Sequence, residues 1–201
     1  MNLFWLDSDV TQCAQAHQDA HVGKMLLEAV QLLCTAFSVP SKPFVQTMHG
    51  IHWSYLTPEC RLAADLLPYS HPHINHPCAL WVRASRANFD RAIELAEALA
   101  AEFRYRFDKS HGSEAALNWV KRHRGEAQVP DGPLTPYALA MPDAYLLNSL
   151  LLPATPHNTI VAYCTYYRAE KRGHWRKSRD PAEPSTWVPA KWTRRDPPEW
   201  F

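Results

Sequence analysis

The sequence predicts an all-α protein: a single globular helical domain with a Pro/Trp-rich C-terminal tail. Three observations point there. Several Pro-free segments carry apolar residues at helical spacing, Asp, Ser and Pro stand at their starts, and strand-like alternation is scarce. With 201 residues, 46% of them hydrophobic, the chain can bury one ordinary core but not two. Residues 1–201 therefore read as one domain, with the tail 180–201 docked or partly extended.

The elements follow in order. Asp9 can cap a first helix running to about Phe37, stopped by Val39-Pro40-Ser41-Lys42-Pro43. Phe44 to His76, with three Pro and five His, reads as loop with short helical pieces. Pro77 suits the first position of a helix that continues through Ala79, Leu80, Val82 and Arg83. Ser85 can cap a long amphipathic helix from Arg86 to about Phe107, and Ser113 a shorter one from Glu114 to Arg122, ended by Gly125. After a connector from Pro130 to Pro142, Asp143-Ala144-Tyr145 starts another helix. The last long helix is expected from about His157 to Lys177.

The first helix carries an unusual stripe. His17, His21, Lys24, Glu28 and Gln31 lie at offsets of four, three, four and three, within roughly 80° of one another on a 3.6-residue helix. From Val22 onward, nearly every other direction is apolar. Buried Lys and Glu cost several kcal/mol unless paired or wetted, so the stripe is expected to line a cleft. Lys24 and Glu28 can pair at i,i+4. A partly buried carboxylate beside an ammonium suits proton transfer or stabilisation of a developing cation, and a structural ion pair is the plainer alternative.

Other candidates are less specific. Cys13, His17 and His21 share one helical face and offer three metal ligands, but no finger-like partner spacing accompanies them, so no metal and no cofactor is assigned. Asn75, His76, Trp81 and Arg83 gather an amide, an imidazole, an indole and a guanidinium around a helix start, a set suited to reading a base and a phosphate as well as to capping and core packing. Asp143, in a first helical turn, can stabilise a cation or orient a water.

The net charge of +1 conceals a basic end: residues 168–195 hold nine Lys or Arg against three acids, interspersed with Trp175, Trp187 and Trp192. Such a mixture suits phosphate contact and base stacking, and makes Tyr167, Arg168, Lys171, Arg172 and Arg176 candidate DNA contacts. A solvated helix end with anchored Trp residues has the same composition. The N-terminus lacks the basic and apolar runs of a signal peptide, and no stretch is apolar enough to span a membrane; a soluble cytoplasmic protein is expected. Five cysteines without a Cys-x-x-Cys pair read as buried thiols. Phosphate-cradling Gly loops, hydrolase elbows and the zinc-deaminase signature are absent from the sequence.

Five blocks in order, CAQAHQDAHVGKMLLE (13–28), NHPCALWVRAS (75–85), AMPDAY (140–145), YYRAEK (166–171) and PPEWF (197–201), resemble a phage and bacterial family of helical, DNA-glycosylase-like proteins linked to modified pyrimidines. It includes the α-glutamyl/putrescinyl-thymine pyrophosphorylase group and anti-phage glycosylases acting on glucosylated hydroxymethylcytosine. The resemblance implies a DNA glycosylase that flips a bulky modified pyrimidine out of double-stranded DNA and cleaves its N-glycosidic bond. Asp143 or Glu28 would stabilise the sugar cation and position water, His21 and Lys24 would protonate or hold the leaving base, Asn75, Trp81 and Arg83 would read it, and Arg168, Lys171, Arg172 and Arg176 would hold phosphates. Helix-hairpin-helix glycosylases place a Gly-rich hairpin before the catalytic Asp, whereas this chain has Pro-rich sequence before Asp143, which leaves both carboxylates open. The alternatives are a transferase or pyrophosphorylase modifying hydroxymethyl pyrimidines in DNA, and a non-enzymatic nucleic-acid-binding phage accessory protein.

Overall fold

A computed structural model describes residues 1–37, 47–48, 51–52, 56–69, 73–150, 153–176 and 184–201, with the backbone alone at 47–48, 51–52, 147–150 and 175–176. It is 56% helical. Eight α-helices are described: α1 (Val10–Ala16), α2 (Asp19–Cys34), α3 (Pro58–Ala63), α4 (Pro77–Ala84), α5 (Arg86–Phe107), α6 (Glu114–Arg122), α7 (Asp143–Leu150) and α8 (Pro156–Glu170). Two antiparallel pairs join β1 (Thr47–Met48) to β2 (Ile51–His52) and β3 (Gly173–Arg176) to β4 (Thr186–Pro189). No described helix is long and apolar enough to cross a membrane.

The core forms where α2 crosses α5, flanked by α1, α4 and α6. Gly23 permits the close approach: a Cβ there would lie 3.0 Å from the Phe103 ring. The N-terminal segment runs through this core, with Leu3, Phe4, Trp5 and Leu6 all buried. Trp5 stacks on Tyr137 at 4.0 Å between ring centroids and meets Trp81 edge-on.

Local signals set most helix starts. The Asp9 carboxylate accepts the Gln12 N–H, Ser85 Oγ accepts that of Asn88, and Pro77 opens α4 behind His76, whose ring accepts the Cys78 N–H. Asp108 ends α5 in the left-handed region at φ 51°. Ser113 differs from expectation: its side chain caps no helical N–H and instead accepts the Tyr69 hydroxyl, while the Glu114 carboxylate takes the His111 N–H.

Two expectations are corrected. The first helix is not continuous to Phe37, because it breaks at His17 and Gln18, both extended. Neither Gly nor Pro causes this; partners distant in sequence replace the helical hydrogen bonds. Arg106 takes the carbonyls of Gln15 and His17, Trp192 Nε1 takes that of Ala16, the Tyr167 hydroxyl accepts the Gln18 N–H, and the Lys191 carbonyl accepts that of Asp19. The last helix stops at Glu170 rather than Lys177, and residues 173–176 pair with 186–189 as a strand. The tail is docked through residues 191–201: Thr193 binds the Asp19 carboxylate, Arg195 binds Glu102, and Trp192 and Trp200 meet Phe201.

Candidate functional site

The break divides the polar stripe. His17 lies outside α2 and is sealed in the core, its Nδ1 2.7 Å from the Cys13 carbonyl and its Nε2 buried without a partner. Burial pushes its pKa down to about 4, so it is neutral. His21, Lys24, Glu28 and Gln31 remain on α2, and all but exposed Lys24 are partly buried.

His21 faces α8. Its Nδ1 lies 2.7 Å from the Tyr167 hydroxyl, which also accepts the Gln18 N–H at 3.0 Å. The hydroxyl keeps both its proton and a second lone pair for Nδ1, so either neutral tautomer of His21 satisfies this contact. Burial and then the charges of His17, Lys171, Lys24 and His174 press the pKa of His21 down to about 3. The imidazole is therefore neutral at physiological pH. Tyr167 is buried beneath Phe4, Trp200 and Phe201 and positions His21 rather than offering a surface to DNA. Lys171, one turn beyond Tyr167, holds its ammonium 4.8 Å from the Tyr166 ring centroid.

Two turns along α2, Glu28 stands beside Asn2. The Glu28 carboxylate accepts the Asn2 backbone N–H at 2.6 Å and lies 3.9 Å from Lys24 Nζ. Its side chain is 13% exposed against 61% for Lys24, so the pair runs from the protein's interior to its surface.

Asn2 joins three of the sequence blocks. Its Nδ2 donates to the Ala140 carbonyl at 2.6 Å, and its Oδ1 meets the Leu3 N–H at 2.8 Å, the Tyr163 hydroxyl at 2.9 Å and the Cys78 thiol at 3.6 Å. Blocks 13–28, 75–85 and 140–145 therefore meet α8 around residues 2–6. Block 166–171 joins them through Tyr167, and 197–201 through the rings on Tyr167. Sequence reading missed this hub, because a lone Asn near a chain start carries no motif.

The remaining candidates are distributed unevenly. Asp143 is exposed at the start of α7, between Ala140, tied to Asn2, and Tyr145, whose ring lies 5.1 Å from that of Tyr166 and whose hydroxyl donates to Glu170. His76 caps α4, and Asn75 is exposed beside it. Trp81 and Arg83 are corrected in placement. Trp81 is a core ring donating to the Thr135 carbonyl, and Arg83 donates to the Ile74 carbonyl with Nη1 buried and unpartnered. Trp81 turns inward because α4 packs against the connector, whereas half-buried Arg83 folds back onto the segment that precedes α4. Arg168 and Arg172 are exposed, the former 3.5 Å from the Trp200 carbonyl; the Arg176 side chain lies outside the described residues.

Cys13, His17 and His21 do not converge as metal ligands. The Cys13 thiol binds the Phe4 carbonyl and the Leu6 N–H, and burial raises its pKa to about 11, away from the thiolate a metal requires. Among the described residues, no group of three or more His, Cys, Asp and Glu is placed to hold a metal ion. Comparison with protein-family models, with curated proteins and with solved structures found no match to this chain.

Proposed function

We propose that this chain is a DNA glycosylase that excises a bulky modified pyrimidine, such as glucosylated hydroxymethylcytosine, from double-stranded DNA and leaves an abasic site. The observation that carries this reading is the gathering of three sequence-distant blocks and α8 around Asn2, with Glu28, Lys24 and His21 in line on α2 beside the cationic end of α8.

The chemistry requires such a graded line. As the N-glycosidic bond breaks, positive charge grows on the sugar and the base departs with the bonding electron pair, taking up a proton; water then adds at the sugar carbon. Glu28 opposes the sugar charge and orients the water, with Asp143 at the exposed rim as the second carboxylate. Lys24 holds or protonates the leaving base. His21 supplies a neutral imidazole, and Lys171, Arg168 and Arg172 supply cations for phosphates. Trp81 carries no base-reading role here, since its ring is in the core and its Nε1 is bound to the Thr135 carbonyl.

The test is incubation of the purified protein with plain, hydroxymethylated and glucosylated duplexes, scored for alkali-labile sites. Cleavage confined to a modified duplex supports excision. Absence of such sites on all three refutes it, and a heavier base by mass spectrometry identifies a transferase instead.

A further inference from the structure

We propose that the groove between α8 and Trp200 is a binding site for a small aromatic carboxylate, whose rings lie against Ile160, Val161 and Trp200 and whose carboxylate pairs with Arg168. Binding there requires neither DNA nor excision, although it draws on a cation assigned above to phosphates.

The groove arises on the side of α8 that faces away from the core. Ala162, Tyr163, Tyr166 and Tyr167 are buried on one side of the helix. The opposite side of such a helix ordinarily carries charged and polar residues. Here Ile160, Val161 and Cys164 stand on it, and Val161 is 44% exposed. Trp200, brought back by the docked tail, walls this stripe, and with Thr165 and Arg168 these residues line one cavity of about 310 Å³. That volume is near the lower end of the ~300–1,000 Å³ of small-ligand sites, room for one or two rings.

The lining selects the ligand. The Thr165 hydroxyl donates to the Val161 carbonyl at 2.9 Å and the Cys164 thiol to the Leu6 carbonyl at 3.4 Å, so both polar hydrogens are engaged within the fold. Burial raises the Cys164 pKa to about 12, which keeps it an uncharged thiol. Arg168 is therefore the charged group of the lining. Its Nη1 lies 3.5 Å from the Trp200 carbonyl, and among the described residues no carboxylate pairs with it. Asp7 and Asp196 line a separate cavity that also borders Trp200, and no acid lines this one. One guanidinium fork matches one carboxylate through two parallel N–H···O bonds, whereas a phosphate dianion calls for further donors that an apolar lining lacks. The indole wall favours an aromatic body over a flexible chain. An acid seated here occupies Arg168 and competes with a DNA phosphate for it.

The full chain, labelled with ¹³C at its Ile and Val methyl groups, would be titrated with 2-naphthoate, with uncharged 2-naphthamide and with 2-naphthyl phosphate, while the methyl signals of Ile160 and Val161 are followed by NMR. The carboxylate should shift both saturably, with a Kd of about 1 mM or below for a ligand of this size. Replacing it with the amide, or Arg168 by Gln, should weaken binding about ten-fold, as on loss of one charge-assisted contact. Val161→Glu, at an exposed position, should abolish the shift at Ile160 by setting a like charge in the groove, with circular dichroism checking that each variant keeps its helices. No saturable shift up to about 10 mM, equal shifts with acid and amide, or unchanged binding in Arg168→Gln overturns the proposal. Tighter binding of the phosphate than of the carboxylate overturns the assignment of the ligand. Absence of abasic sites in the excision assay leaves this site standing, and failure of 2-naphthoate to bind leaves excision untouched.

Discussion

Replacing Arg106 with Met tests how the site is held. The guanidinium is wholly buried and donates to Glu102 at 2.7 Å, to the His17 carbonyl at 2.8 Å, to Asp19 at 3.0 Å and to the Gln15 carbonyl at 2.8 Å. It therefore fixes the break between α1 and α2 and, through it, the start of the helix that carries His21. Met fills comparable volume but leaves two carbonyls without donors and Glu102 with Arg195 alone. Removing one partner from a buried ion pair costs about 3 to 5 kcal/mol, a large part of the ~5 to 15 kcal/mol that stabilises an ordinary domain. At about 2 to 4 °C per kcal/mol for a chain of this size, the melting temperature should fall by roughly 6 to 20 °C. Urea unfolding monitored by tryptophan fluorescence and circular dichroism gives the free energy directly. Arg106→Met in combination with Glu102→Gln should cost less than the sum of the single changes, because the two groups share one network. A loss under 1 kcal/mol with native-like His21 resonances would refute the view that this network holds the break open.

Three further outcomes follow from the same contacts. Asn2→Ala removes the donor to Ala140 and the acceptor of the Leu3 N–H; it should cost about 2 to 4 kcal/mol in urea unfolding, and a neutral result would show that the hub is dispensable. Gly23→Leu should destabilise by about 1 to 3 kcal/mol, since the Phe103 ring already stands 3.0 Å from where a Cβ would sit; unchanged thermal melting would contradict the close packing of α2 on α5. His17 and His21 have folded-state pKa values lowered to about 4 and about 3. The unfolded chain therefore binds protons at higher pH than the folded one, and the stability contributed by neutral imidazoles is complete above about pH 6.5 and lost on acidification toward those values. Between pH 7 and 5 the loss should reach about 2 kcal/mol for each imidazole, and His21→Gln should flatten the slope. Stability independent of pH over that interval would contradict the burial of both rings.

Much of the helical layout was legible because its signals are local. Asp9, Pro77 and Ser85 act within one turn of the helices they start, and α5 and α6 carry their own amphipathic period. The break at His17 was not legible, since Arg106, Tyr167 and Trp192 impose it from far along the chain. The strand at 173–176 was hidden for a similar reason: its partner strand at 186–189 supplies the hydrogen bonds that α8 would otherwise continue. The candidate site shows the same division. Lys24 and Glu28 were readable as an i,i+4 pair. The meeting point of the blocks at Asn2 depends on side-chain hydrogen bonds over 26 to 161 residues, and no periodicity encodes those. Trp81 and Arg83 were misplaced because a short helix carrying polar tips looks the same in sequence whether those tips meet solvent or carbonyls.

The central claim is that the line from His21 to Glu28 is a base-excision site, and the most direct test is the yield of abasic sites in glucosylated hydroxymethylcytosine DNA with the wild-type chain and with Glu28→Gln. The substitution preserves shape while removing the charge that opposes the sugar cation, so the wild type should generate alkali-labile sites and the folded variant should do so at least 100-fold more slowly, as on loss of about 2.7 kcal/mol of transition-state stabilisation. Equal rates in the two proteins would contradict the assignment of Glu28, and no abasic sites on any modified duplex would contradict the function itself.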